Sequence, residues 1–130
     1  MKTLLPYLTV LAAMVVLDLV WLGGIAMPMY KRGIGHLMAD KPNFAAAGLF
    51  YLLYAIGVLL FAVRAADGWQ AAAGYGALLG ALAYMTYDLT NMATLKDWPL
   101  GLSVIDVAWG TFATGLAAAA GRLVADRLNA

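Results

Sequence analysis

Apolar residues run along this chain in four long stretches, separated by short polar turns. The first, Leu4 to Met27, is broken only by Asp18, and Pro28 is expected to end it. From Pro42 to Val63 there is no charge at all. A third run extends from about Ala71 to Leu95, and a fourth, containing Asp106, from about Leu100 to Gly121. About 20 mainly apolar residues suffice to cross a bilayer as a helix. The expected fold is therefore all-α: a four-helix transmembrane bundle with both termini on the same side of the membrane. It forms a single transmembrane domain, 1–130, with helices near 4–27, 43–63, 71–95 and 100–121. A cleavable signal competes for the first run, because Lys2 precedes it and Gly24-Ile25-Ala26 resembles a cleavage site. The run is too long for one and carries Asp18, so a retained helix is expected.

The segments between the runs carry less pattern. Residues 29–41 form a polar connector in which Tyr30, Ile34, Leu37 and Met38 can share a face opposite Lys31, Arg32 and His36, as in a short interfacial helix. Trp69 and Trp98 fall at turns, where indoles anchor a helix at the membrane interface. Gly76-x3-Gly80 and Ala73-x3-Ala77 let a second helix approach the third closely. Lys2, Arg64, Arg122 and Arg127 lie on the side of the termini, and Lys31, Arg32, Lys41 and Lys96 on the far side. That balance gives no orientation.

Composition agrees with the pattern. Hydrophobic residues make up 65% and charged residues 12%, against about 25% charged in soluble domains. Mean hydropathy is +0.84. A net charge of +1 provides no basic field, so no nucleic-acid partner is expected. The absence of cysteine excludes disulfides, thiolate metal sites and a cysteine nucleophile.

What changes the picture is the polar residues inside the apolar runs. Tyr84, Tyr87, Asp88, Asn91 and Thr94 follow helical spacing and share one face. Asp88 lies about seven residues, roughly 10 Å, inside the far-side end of its helix, and Asp106 is about as deep. Asp18 sits nearer the midplane, while Tyr51 and Tyr54 enter from the far side on the second helix. Asp18-x-x-Trp21 and Asp106-x-x-Trp109 each place an acid and an indole on one face, so Trp21 and Trp109 are expected to line the same pocket. No Lys or Arg lies within any run, so the three carboxyls have no basic partner there. Desolvation and mutual repulsion favour the neutral acid, and at least one is expected to hold a proton near neutral pH. The acids offer a hard cation oxygen ligands only, at no defining spacing, so no metal is assigned. With no phosphate loop, dinucleotide fingerprint or nucleophile elbow, no cofactor is expected. His36, alone in a loop, reads as a surface group.

These residues also carry a resemblance. Asp18-Leu-Val-Trp21, Tyr30-Lys31-Arg32-Gly33, Phe50-Tyr51-Leu-Leu-Tyr54, Tyr84 through Pro99, and Asp106-Val-Ala-Trp109 together resemble a family of bacterial membrane proteins, domain of unknown function 2177. The resemblance implies a multi-pass protein of the bacterial cytoplasmic (inner) membrane. It transfers no activity. An association of the family's genes with those for fatty-acyl or cyclopropane lipid modification brings in a lipid-linked reading. Three functions stay open. The leading one is binding or transport of a proton, cation or small polar or amphipathic molecule in the buried Asp/Tyr/Asn/Trp pocket, with a homodimer if there is transport. The second is a membrane-embedded enzyme or accessory subunit in lipid modification, with an Asp as acid or base and Tyr51 or Tyr87 assisting. In the third, the chain is a structural subunit of a larger membrane complex. The bilayer is the surrounding partner in each, and a small molecule or lipid is the expected ligand.

Overall fold

The structure, a computed structural model, describes residues 1–129 and contains no strand among them. Four helical runs follow one another: α1, Leu4–Leu37; α2, Phe44–Val63; α3, Trp69–Thr94; and α4, Leu100–Asn129. Three of them, α1, α2 and α4, are long and apolar enough to cross a membrane. α3 has the length, 26 residues, but small and polar residues dilute its hydropathy. Both chain ends lie at one end of the bundle, where Lys2 and Pro6 share a pocket with Arg122 and Asn129.

Burial follows the helical repeat. α1 buries Pro6, Val10, Met14 and Asp18, and α3 buries Ala72, Gly76, Gly80 and Asp88, each stripe built on steps of four. α4 is the central post: α3 packs along it most extensively, α1 next, and the end of α2 closes against it. Lipid tails are as apolar as leucine, so close van der Waals packing rather than hydrophobic burial holds such helices together. The α3–α4 seam shows how. A methyl added at Gly76 would lie 2.6 Å from the Ala118 Cβ and 2.7 Å from the Thr114 carbonyl. One added at Gly80 would strike the Gly110 carbonyl, and one at Gly110 the ring of Tyr84. Only glycine permits this approach.

Toward the end holding the termini the helices pack closely. Val10, Met14, Val58, Val63, Ala117 and Ala118 form a filled core. Arg122 donates to Asp126 at 2.8 Å, to the Val63 carbonyl at 3.2 Å and to the Ala66 carbonyl. It thereby satisfies carbonyls that the C-terminal end of α2 leaves without helical partners.

The opposite end is looser. α2 begins at an Asn43 cap whose side chain accepts from the Ala46 N–H at 3.0 Å. Its first turns, Phe44 to Phe50, are exposed throughout. α3 meets α2 mainly along Leu59–Val63, so the two helices diverge from their shared turn and leave a cleft between their other halves.

Two expectations need correction. The fourth helix continues past Gly121 to Asn129. Pro28 does not end the first helix. Trp21–Ala26 widens into a π turn, and the helix then continues as Met27–Ile34 and a final 3₁₀ turn, Gly35–Leu37. A proline withholds one N–H and pushes on the carbonyl four residues earlier; the widened turn absorbs both, so the helix bends and carries on. The continuation docks on the start of α4, with Ile34 buried and Gly33 packed beside Pro99 and Leu102.

Glycines at the seam and at the lipid surface should therefore respond in opposite ways. Gly80→Ala is expected to lower stability by about 1–3 kcal/mol through overpacking. Gly48→Ala, where a methyl meets nothing within 4 Å, should leave it unchanged or raise it by up to about 1 kcal/mol through helix propensity. Reversible unfolding in mixed micelles measures both.

Candidate functional site

The polar groups gather where α1 bends. Asp18, buried on α1, accepts from the Trp109 indole N–H of α4 at 2.8 Å through Oδ1 and from the Tyr51 hydroxyl of α2 through Oδ2. Both its oxygens are thus engaged. Asp106, buried on α4, accepts from the Tyr30 hydroxyl through Oδ1. Tyr30 in turn receives the Trp21 indole N–H over a long 3.4 Å contact. Trp21 and Trp109 lie face to face, their centroids 4.5 Å apart and their planes within 5°. The two Asp-x-x-Trp segments therefore exchange partners. Trp109 serves the acid of α1 directly, and Trp21 serves the acid of α4 through Tyr30.

Asp88 is the exception. It is 0% exposed, and neither carboxyl oxygen has a hydrogen-bond partner. The register that sets Gly76 against Ala118, Gly80 against Thr114 and Tyr84 against Gly110 brings Asp88 opposite Asp106 at the next step, so a proton lying between the two carboxyls would join them. Among the described residues the one salt bridge is Arg122–Asp126 at the far end of α4, so no basic group comes within ion-pairing distance of Asp18, Asp88 or Asp106. No group of three or more His, Cys, Asp or Glu gathers to hold a metal among those residues.

Beside this acid pair lies a groove of about 580 Å³. Met27 and Tyr30 of α1, Phe50 of α2, and Tyr84 and Tyr87 of α3 form its walls, and Asp106 marks its polar end. Met38 and Pro42, in the turn between α1 and α2, also line it. It occupies the cleft left by the divergence of α2 from α3.

The residues singled out from sequence separate into groups. Asp18, Trp21, Tyr51, Asp106 and Trp109 join in the crossed network, with Asp88 beside it. Tyr54 shares a 2.8 Å hydrogen bond with Thr114 instead, tying α2 to α4 away from the carboxyls. Its ring stacks on Phe50, centroids 5.0 Å apart. Tyr84 packs on Gly110 and lines the groove; Tyr87 does too, and meets Trp98 edge-on at 5.5 Å. Asn91 is half-buried and Thr94 exposed, and neither lines the groove. The Thr94 hydroxyl donates to the Thr90 carbonyl of its own helix at 2.9 Å, so it needs no partner from the bundle. Sequence reasoning missed the role of Tyr30, because a helix stopped at Pro28 excludes it. Gly23 and Gly24 just ahead of the proline were the available signal, since such a cluster marks a bend as readily as an end.

A family model described as a predicted membrane protein, domain of unknown function 2177 (DUF2177), matches residues 3–123. The chain belongs to this family. No curated protein matches it, nor does any solved structure. The matched span contains every member of the crossed network, the acid pair and the groove.

The two kinds of acid should differ in what they do for stability. Asp18→Asn replaces an acceptor by an amide nitrogen and strands the Trp109 or Tyr51 donor; a loss of about 1–3 kcal/mol is expected. Asp88→Asn removes an unpartnered acid and supplies an amide that can donate to Asp106, so stability should hold or rise. Unfolding midpoints of the two variants in one detergent give the comparison.

Proposed function

We propose that this membrane protein binds a single-chain amphipathic molecule drawn from the bilayer, seating its chain in the groove and its polar head against Asp106 and Tyr30. The observation that carries this reading is the groove: apolar walls, a carboxyl at one end, and a side left open by the divergence of α2 and α3. Its volume falls within the roughly 300–1,000 Å³ typical of small-molecule sites. Buried ionisable groups in a membrane segment are expensive, which argues that they serve a ligand. The packed core of Val10, Met14 and Val58 at the other end supports binding over passage. Transport by this chain would call on a second copy to complete a path.

Native mass spectrometry tests the proposal. Protein released from nanodiscs doped with 1-lauroylglycerol should retain one such adduct per chain. Ala83→Phe, which pushes a ring into the groove from α3, should reduce that adduct at least tenfold. Retention of the adduct by the variant, or its absence from the native protein, would overturn the reading.

A further inference from the structure

Asp88 is the one buried side chain among the described residues whose polar atoms find no partner. An isolated carboxylate in such a place is costly enough that it takes up a proton or a counter-charge. Its neighbours limit the choice. The α3–α4 register sets Asp106 of α4 opposite it, and Tyr30 of α1 with Tyr84 and Tyr87 of its own helix line the groove alongside. Asp18, the remaining acid, is closed off by its own donors, Trp109 and Tyr51. The Tyr30 hydroxyl is already committed to Asp106. With no donor bonded to either oxygen, a proton shared with Asp106 is the partner that the facing carboxyls themselves can supply.

We propose that Asp88 and Asp106 hold one proton between them, and that an amphipath bearing a primary ammonium group displaces it on entering the groove. The inference rests on the groove being a binding site and adds the chemistry of the head group it selects. The groove's polar end presents a carboxyl, so the incoming head must bring donors. An ammonium brings three donors and a charge of the right sign, whereas a phosphate or carboxylate head brings neither.

The exchange balances. The singly protonated pair carries one negative charge. Binding of R–NH₃⁺ expels H⁺, leaving two carboxylates and one ammonium, which again sum to one negative charge. The buried net charge is unchanged, so the exchange avoids the large penalty for altering charge in a poorly polarisable interior. Asp106 meets the ammonium because it lines the groove, and Asp88 behind it contributes the second carboxylate. The proton departs through the open groove, which Met38 and Pro42 of the α1–α2 turn also line. No covalent bond other than those to the proton is made or broken.

Calorimetry in nanodiscs tests this with dodecylamine as probe, titrated at pH 7 in phosphate and in Tris, whose ionisation heats differ. The same titration of Ala83→Phe nanodiscs is subtracted to remove simple partitioning. The native protein should release about one proton per amine bound. Asp88→Asn should bind the amine and release none. Asp106→Asn should bind the amine at least tenfold more weakly. Native binding without proton release overturns the proposal even if no variant folds. So does a proton released by Asp88→Asn, or undiminished amine binding by Asp106→Asn. If 1-lauroylglycerol binds but dodecylamine binds no tighter, this inference alone fails. If neither probe binds above the Ala83→Phe level, the groove reading fails with it.

Discussion

Asp18 accepts hydrogen bonds from two other helices at once, and the open half of the bundle depends on that junction. Lipid offers no substitute partner for a carboxylate, an indole N–H or a phenol, so each must be answered from within the protein. Here one carboxylate answers two donors, and so fixes how far α2 and α4 stand from α1. The stacked indoles of Trp21 and Trp109 set the level at which α1 and α4 cross. With α1 held this way, its bend delivers Tyr30 to Asp106. Without the junction the groove would have no defined wall.

The two ends of the bundle solve different problems. Toward the termini, glycine and alanine bring α3 and α4 into contact and Arg122 seals the end of α2. Toward the far end, bulky aromatics replace the small residues: Tyr84, Tyr87, Phe50 and the two tryptophans hold the helices apart. The rigid half acts as a fixed base from which the other half can stay open without collapsing. Asp88 sits at the transition, at the end of the buried stripe Ala72, Gly76, Gly80, where an alanine would have continued the seam.

An all-helical membrane bundle was readable from run length and the scarcity of charge alone, because lipid leaves the backbone few other options. The third helix was the least obvious of the four on hydropathy, since the small residues that let it pack lower the same average. Asp18, Asp88 and Asp106 stood out because a charge inside an apolar run is conspicuous. Which donor serves which acid was not readable: the crossing of Trp21 and Trp109 to opposite acids depends on the helix–helix angle. Tyr30 was lost to a rule about proline that holds in water-exposed helices and weakens where a π turn can absorb the strain. Thr94 misled in the other direction, since its spacing matched the stripe while its hydroxyl turned back onto its own helix.

In the function proposed, the cleft between α2 and α3 admits its ligand from lipid rather than water, and this alters what an affinity for the groove means. A molecule arriving through it has already left the aqueous phase, so its chain gains little more from the protein than it had from the bilayer. Each added methylene deepens partitioning by about 0.8 kcal/mol without changing any contact at the head. Affinities referred to bulk water would then climb with chain length, while affinities referred to the membrane would stay level. Selection between ligands therefore falls to the few ångströms around Asp106, and the bilayer acts as the reservoir that sets occupancy.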